Sequence, residues 1–138
     1  MKLQLLLDPE QGIQNFEHVK VSTNQVDLSS ISDNECEVIL ATDVLDSFSH
    51  NAVKELIGAL LGKLRIGGEL SIGGTDGRLL SKHILNGLLS PDDASLIVVN
   101  LESLTFMQSV QDLLMQAGLR IASTHMNGIH YEIKAVRG

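Results

Sequence analysis

Six polar residues follow, or nearly follow, short apolar runs along the chain: Asp8, Ser22, Asp27, Asp43, Thr75 and Asp76. Brought to one rim, the four carboxylates would accept hydrogen bonds from ribose hydroxyls and attract an amine or a sulfonium. They would repel a phosphate, which disfavours NAD or ATP. Taken singly, each aspartate reads more readily as a helix cap or turn residue than as a ligand group. His125, His130 and Glu132 form a second group. Two histidines make half a zinc site, but no third ligand has suitable spacing, so they read as the wet face of a hairpin. His18, His50 and His83 have no partner that spacing can name. The run Gly73-Gly74-Thr75-Asp76-Gly77 is glycine-rich but lacks the lysine and serine of a phosphate loop. No G-x-S-x-G elbow and no H-E-x-x-H motif is present.

Whether these groups can meet depends on the elements that carry them. The clearest unit spans residues 26–72. Residues 37–42 contain the continuous apolar run Val38, Ile39, Leu40 and Ala41, the pattern of a parallel strand covered on both faces. A helix is predicted over 49–64, because Val53, Leu56, Ile57, Leu60, Leu61 and Leu64 form one stripe of a 3.6-residue period. Ser49 can serve as its N-cap through the hydroxyl. Gly67-Gly68 supplies a turn, and residues 69–72 resume as a strand. Together these make one βαβ unit, whose crossover should be right-handed.

Ahead of it, residues 3–7 and 18–22 read as strands, joined by a loop containing Pro9, Gly12 and Asn15. Residues 23–32 form a weakly ordered segment containing Asp27. Beyond the central unit, a helix is predicted over 78–89. Ser90-Pro91-Asp92-Asp93 either breaks it or caps a new one, and 96–99 fits helix or strand. Thr105-x-x-Gln108 is a capping-box pattern, and Phe106, Val110, Leu113, Leu114 and Ala117 line one face of the helix behind it. Gly118 stands where that helix should end. Residues 119–126 and 129–136 flank Asn127-Gly128, a hairpin turn that would pair Met126 with Ile129 and His125 with His130.

In all, 138 residues make a single domain over 1–138, long enough to bury a core. Ten Lys and Arg against 17 Asp and Glu leave a formal charge of −7. That balance argues against nucleic-acid or anionic-membrane partners, which need a positive surface. No apolar run has the length of a membrane span, and Asp8 interrupts the N-terminal run too early for a signal peptide. Cys36 is the only cysteine, so no internal disulfide forms. It reads as a small buried residue at a strand start, in a chain that belongs in the reducing cytoplasm. A homodimer through the outer hairpin or an edge strand is compatible with the sequence.

The motifs of residues 26–72 resemble class I S-adenosylmethionine-dependent methyltransferases. Those motifs are a Val26-Asp27-Leu28-Ser29 turn, a strand ending Ala41-Thr42-Asp43-Val44-Leu45, and Leu64-x-x-Gly67-Gly68-x-Leu70-x-Ile72. Met1-Lys2-Leu3 opening directly into a strand is similar to small members of that family. The resemblance implies an α/β fold with a Rossmann-like methyltransferase sheet, mostly parallel, ending in an antiparallel C-terminal hairpin. A flavodoxin-like signalling domain would lack that hairpin.

The resemblance also implies S-adenosyl-L-methionine as cofactor and a small-molecule or protein methyl acceptor. Carried onto this chain, Leu7, Asp8 and Gly12 would hold the methionine end. Ser22 stands at the ribose position, Asp27 and Leu28 at the adenine position, and Ala41, Thr42 and Asp43 in the loop after the fourth strand. Asp43 is the nearest candidate for a catalytic base. Two departures stand out. The first loop, Leu7-Asp8-Pro9-Glu10-Gln11-Gly12, has one glycine where the family has several, and Ser22 replaces an acid. Pro9, Glu10 and Gln11 could fill the cofactor's place, since glycine permits the close backbone approach that larger residues deny. The alternative function is therefore a catalytically inactive methyltransferase-like domain that serves as a protein-interaction module.

Overall fold

The computed structural model describes residues 1–138, the side chain of Pro9 excepted. Seven strands form one sheet: β1 (Lys2–Leu6), β2 (Glu17–Ser22), β3 (Gln25–Val26), β4 (Cys36–Ala41), β5 (Leu64–Thr75), β6 (Leu119–Asn127) and β7 (His130–Arg137). Their spatial order is β3-β2-β1-β4-β5-β7-β6. β1 runs parallel to β2 and to β4, and β4 runs parallel to β5. β7 is antiparallel to both β5 and β6, which is the C-terminal hairpin the sequence implied. β3 differs from expectation: it is a two-residue antiparallel return from β2, turned at Asn24 with φ 56°.

The helices are α1 (His50–Lys63), α2 (Gly77–Leu85), α3 (Pro91–Val99) and α4 (Met107–Gln116). α1 buries Val53, Leu56, Ile57 and Leu60, four residues of the predicted stripe, each contributing roughly 1.5–3 kcal/mol of transfer free energy. Ser49 does occupy its N-cap position, but the hydroxyl makes no cap bond. Instead the Ser49 amide donates to Asn24 Oδ1, pinning the β2–β3 turn to the start of the helix. Residues 96–99 resolve as helix: Ser90 Oγ accepts from the Asp93 amide and Pro91 fills the first turn.

The capping box at Thr105 and Gln108 does not form. α4 begins at Met107, and its amide donates to Asp76 Oδ1 at 2.8 Å. Asp76 Oδ2 accepts from Leu79 at 2.8 Å, so one buried carboxylate caps both α2 and α4. Thr105 turns inward to a 2.6 Å hydrogen bond with the Tyr131 hydroxyl. A carboxylate acceptor outcompetes a hydroxyl for helix amides, which leaves Thr105 free to satisfy the buried phenol.

The core lies on one face of the sheet. Leu3, Leu5, Ile39, Ala41, Leu70, Ile72, Ile133 and Ala135 from the strands meet α1, α4 and Leu28 and Ile31 there. The other face is only partly covered. Val38 and Leu40 are half-buried, as are Gln4, Glu69 and Val136, and Lys134 is exposed. The two-sided burial expected of β4 is thus corrected to one-sided. The ten-residue connection 7–16 is too short to lay a full helix on that face, and packs beside Gln4 and His18 as a loop.

The hairpin register also differs. Asn127 pairs with His130, Met126 with Tyr131 and His125 with Glu132, so the turn residues are Gly128 and Ile129. Gly128 alone has positive φ there, 62°, the pattern of a turn with glycine at its first central position. The faces survive, because a slip of two residues preserves alternation. Tyr131, Ile133 and Ala135 are buried, whereas β6 beyond Leu119 is largely exposed as an edge strand. A bulge between Ile121 and Ser123 breaks its pairing.

Candidate functional site

Strand order reverses between β1 and β4, since the chain runs from β1 to one side and from β4 to the other. Ligands of open α/β sheets sit outside the carboxyl ends of the strands at such a switch. A cleft of about 320 Å³ opens there, and its walls include Leu6, Leu7, Asp8, Gln11, Thr42 and Asp43. This lies near the lower bound of small-molecule pockets, roughly 300 Å³.

The first loop is held by its own hydrogen bonds. Residues Pro9–Gln11 form one 3₁₀ turn. Glu10 donates its amide to Asp8 Oδ1 at 3.0 Å, and Gln11 to the Asp8 carbonyl at 3.0 Å. Ile13 donates to Gln4 Oε1 at 2.7 Å, while Gln4 Nε2 reaches the Gln11 carbonyl at 3.3 Å. Gly12 packs under His18, whose ring lies 2.8 Å from where a Cβ would stand and bonds the Ile13 carbonyl. The ring, not a ligand, is what Gly12 accommodates here. The expectation that Pro9 fills the cofactor's place concerns a side chain outside those described.

Asp43 sits at the far wall in the left-handed region, φ 57° and ψ 10°, where aspartate is one of the few tolerated residues. That backbone turns the chain from β4 into the 3₁₀ segment Val44–Ser47. Its Oδ1 lies 3.3 Å from His130 Nδ1, which β7 brings to the end of β5. Beside it, Thr42 Oγ1 donates to Glu132 Oε1 at 2.9 Å. A second cavity of about 200 Å³, lined by Thr42, Asp43, His125, His130 and Glu132, continues the rim from the first.

One turn on, Asp46 binds Thr75 twice, from its amide at 2.7 Å and its hydroxyl at 2.9 Å. Burial pushes the Asp46 carboxyl above its usual range, against the opposing effect of those two bonds. Asp43, Asp46 and His130 offer donor atoms within 4.8 Å of one another. Both Asp46 oxygens already accept from Thr75, so a divalent cation there would share a carboxylate that ties two strand ends together.

Of the residues singled out from sequence, Leu7, Asp8, Thr42 and Asp43 meet at the cleft. Ser22 is exposed and paired with Gln25 in the β2–β3 hairpin. Asp27 accepts from the Ser29 amide, and hydrogen bonding by Ser29, its side chain first and its amide second, holds the carboxyl below the usual range. Leu28 and Ala41 are core residues. Thr75 is buried against Asp46, and Asp76 is the double helix cap. Sequence reasoning missed His130 as a partner of Asp43. The two lie far apart in the chain, and only the β5–β7 pairing joins them.

No helix among the described residues is long and apolar enough to cross a membrane. No protein-family model matches the chain, and no curated protein matches it. Solved structures do. An O-methyltransferase family protein from Burkholderia thailandensis superposes with TM-score 0.64 and 20% identity over 89% of this chain, which spans 36% of that protein's length. A SAM dependent methyltransferase from Archaeoglobus fulgidus gives TM-score 0.64 and 11% identity over 96% of this chain and 74% of its own. An S-adenosylmethionine dependent methyltransferase from Mesorhizobium loti gives 0.65 and 8% over 99% and 80%. The chain has the class I S-adenosylmethionine-dependent methyltransferase fold.

Proposed function

We propose that the chain binds S-adenosyl-L-methionine in the β1–β4 cleft and transfers its methyl group to a small-molecule or protein acceptor. The observation that carries this reading is the open cleft at the switch in strand order, with Asp8, Thr42 and Asp43 converging on it in a methyltransferase fold. Bound there, the cofactor would supply an electrophilic methyl group. Leu6, Leu7 and Gln11 would hold it, and the carboxylates would accept from its hydroxyls or amine and favour its positive charge. The chain's contribution to rate would be mainly to hold donor and acceptor in line. For an acceptor that must lose a proton, the Asp43–His130 pair is the base: Asp43 orients the imidazole, and the free ring nitrogen takes the proton. The lone, buried thiol of Cys36 suits a protein of the reducing cytoplasm. The exposed edge strand β6 is the surface on which we place any homodimer contact.

A second reading, the inactive interaction module, has its own observation. The amides of Glu10, Gln11 and Ile13 are spent on Asp8 and Gln4, so the first loop has few left to offer a carboxylate. Thermal denaturation with S-adenosylhomocysteine separates the two. At about a hundredfold excess over Kd, one-site binding adds roughly 2.7 kcal/mol and raises Tm by several degrees. An unmoved Tm across the whole ligand range would support the second reading.

A further inference from the structure

A third cavity lies on the other face of the β6–β7 hairpin from the Asp43–His130 rim. Its volume is about 450 Å³, and Arg78, Leu79, Lys82, Met107, Gln108 and Met126 line it with Asp76. Successive strand residues point to opposite faces, so Met126 looks into this cavity while His125 and Asn127 face the rim.

Arg78 and Lys82 stand four residues apart on α2, and therefore on one face of the helix. Both are exposed, and neither is hydrogen-bonded or ion-paired to another side chain among the described residues. The one carboxylate in the wall, Asp76, bonds the Leu79 and Met107 amides and neither of these two side chains. Two like charges at this spacing repel, and they do so in a chain whose formal charge is −7. Apart from the polar Gln108, the rest of the wall is apolar: Leu79, Met107 and Met126, the methionines being side chains that adapt to irregular shapes.

We propose that this cavity is a binding site for a small oxyanion-bearing molecule, a phosphate ester or a carboxylate with an apolar body. The guanidinium of Arg78 presents a planar fork suited to two oxygens, and Lys82 adds a point charge beside it. The apolar body lies against Leu79 and the two methionines. The site is separate from the cofactor cleft and stands whether or not S-adenosylmethionine binds there.

The test is an amide-resolved NMR titration of the full chain with phenyl phosphate, benzoate, inorganic phosphate and benzyl alcohol. Phenyl phosphate or benzoate should move the amides of residues 77–82, 107–108 and 126 saturably, and more weakly as salt rises. The stronger of the two identifies the anion. Saturation of the same amides by inorganic phosphate supports the anion subsite itself. The double variant R78Q/K82Q, confined to exposed side chains, should keep the spectrum of a folded protein and bind at least tenfold more weakly. Three results would each overturn the proposal: neither aryl anion shifting these amides, undiminished affinity in R78Q/K82Q, or an equal response to benzyl alcohol.

Discussion

Asp46 and Thr75 are joined by two hydrogen bonds, which tie the 3₁₀ segment after β4 to the carboxyl end of β5. The contact sits directly behind Asp43 and His130, so it sets how far apart the two halves of the rim stand. Its carboxyl is raised above the ordinary value of 3.8, chiefly by burial. The folded protein therefore holds this proton more tightly than the unfolded chain does. Its contribution to stability is fully present below pH 3.8 and is lost as pH rises through the folded value. Asp46→Asn keeps an acceptor for the Thr75 amide and cannot ionise. The stability difference between Asp46→Asn and the native chain, from urea midpoints, should shift in favour of the variant as pH rises from 4 towards neutrality. A difference independent of pH would show that Asp46 ionises normally.

The same neighbourhood explains two glycines. A Cβ on Gly74 would stand 2.9 Å from Asp46 Oδ1 and 3.2 Å from Leu45 Cβ, and one on Gly73 would stand 2.0 Å from the Tyr131 carbonyl oxygen. Gly74→Ala should cost about 1–3 kcal/mol in chemical denaturation, and Gly73→Ala more, because backbone rather than a side chain must move.

Asp76 caps two helices with one carboxylate. Asp76→Ala removes both acceptors from a buried position and should cost about 1–4 kcal/mol, twice the range for one lost cap. Asp76→Asn retains one acceptor and should fall between Ala and the native chain. Equal stabilities for Asn and Ala would mean that only one of the two caps matters.

These contacts mark where the sequence was and was not legible. The α1 stripe was readable because Val53, Leu56, Ile57 and Leu60 repeat within one helix and need no distant partner. Asn127-Gly128 announced a hairpin, yet its register depended on where in the turn the positive φ fell, and Gly128 took it at the first central position rather than the second. Thr105-x-x-Gln108 misled for a physical reason: a carboxylate 31 residues away, at Asp76, supplied a stronger acceptor. β4 looked buried on both faces because its run is wholly apolar; the 7–16 connection was legible as a loop, but that this loop leaves one face of β4 without a helix followed only once the sheet was assembled. At the site, Asp8 and Asp43 were identifiable as residues leaving strands. The Asp43–His130 contact was not, since it exists only through the order of β4, β5 and β7.

If the proposed methyl transfer occurs, His130→Ala should lower turnover about 10²–10⁴-fold for an acceptor that must lose a proton, and leave cofactor affinity unchanged. Asp43→Asn should lower it too, with little loss of stability, because asparagine also tolerates the left-handed backbone at φ 57°. Steady-state kinetics split into kcat and KM would check both. A fall in cofactor affinity without a fall in kcat would place these residues in binding alone.

Calorimetric titration of the folded protein with S-adenosylhomocysteine tests the central claim most directly. The product cannot be turned over, so any heat reports binding. A single saturable site is predicted, abolished by Leu7→Trp, which places a ring in the cleft wall at the exposed residue just after β1. No heat up to high ligand concentration, or heat that Leu7→Trp leaves untouched, would contradict a cofactor site between β1 and β4.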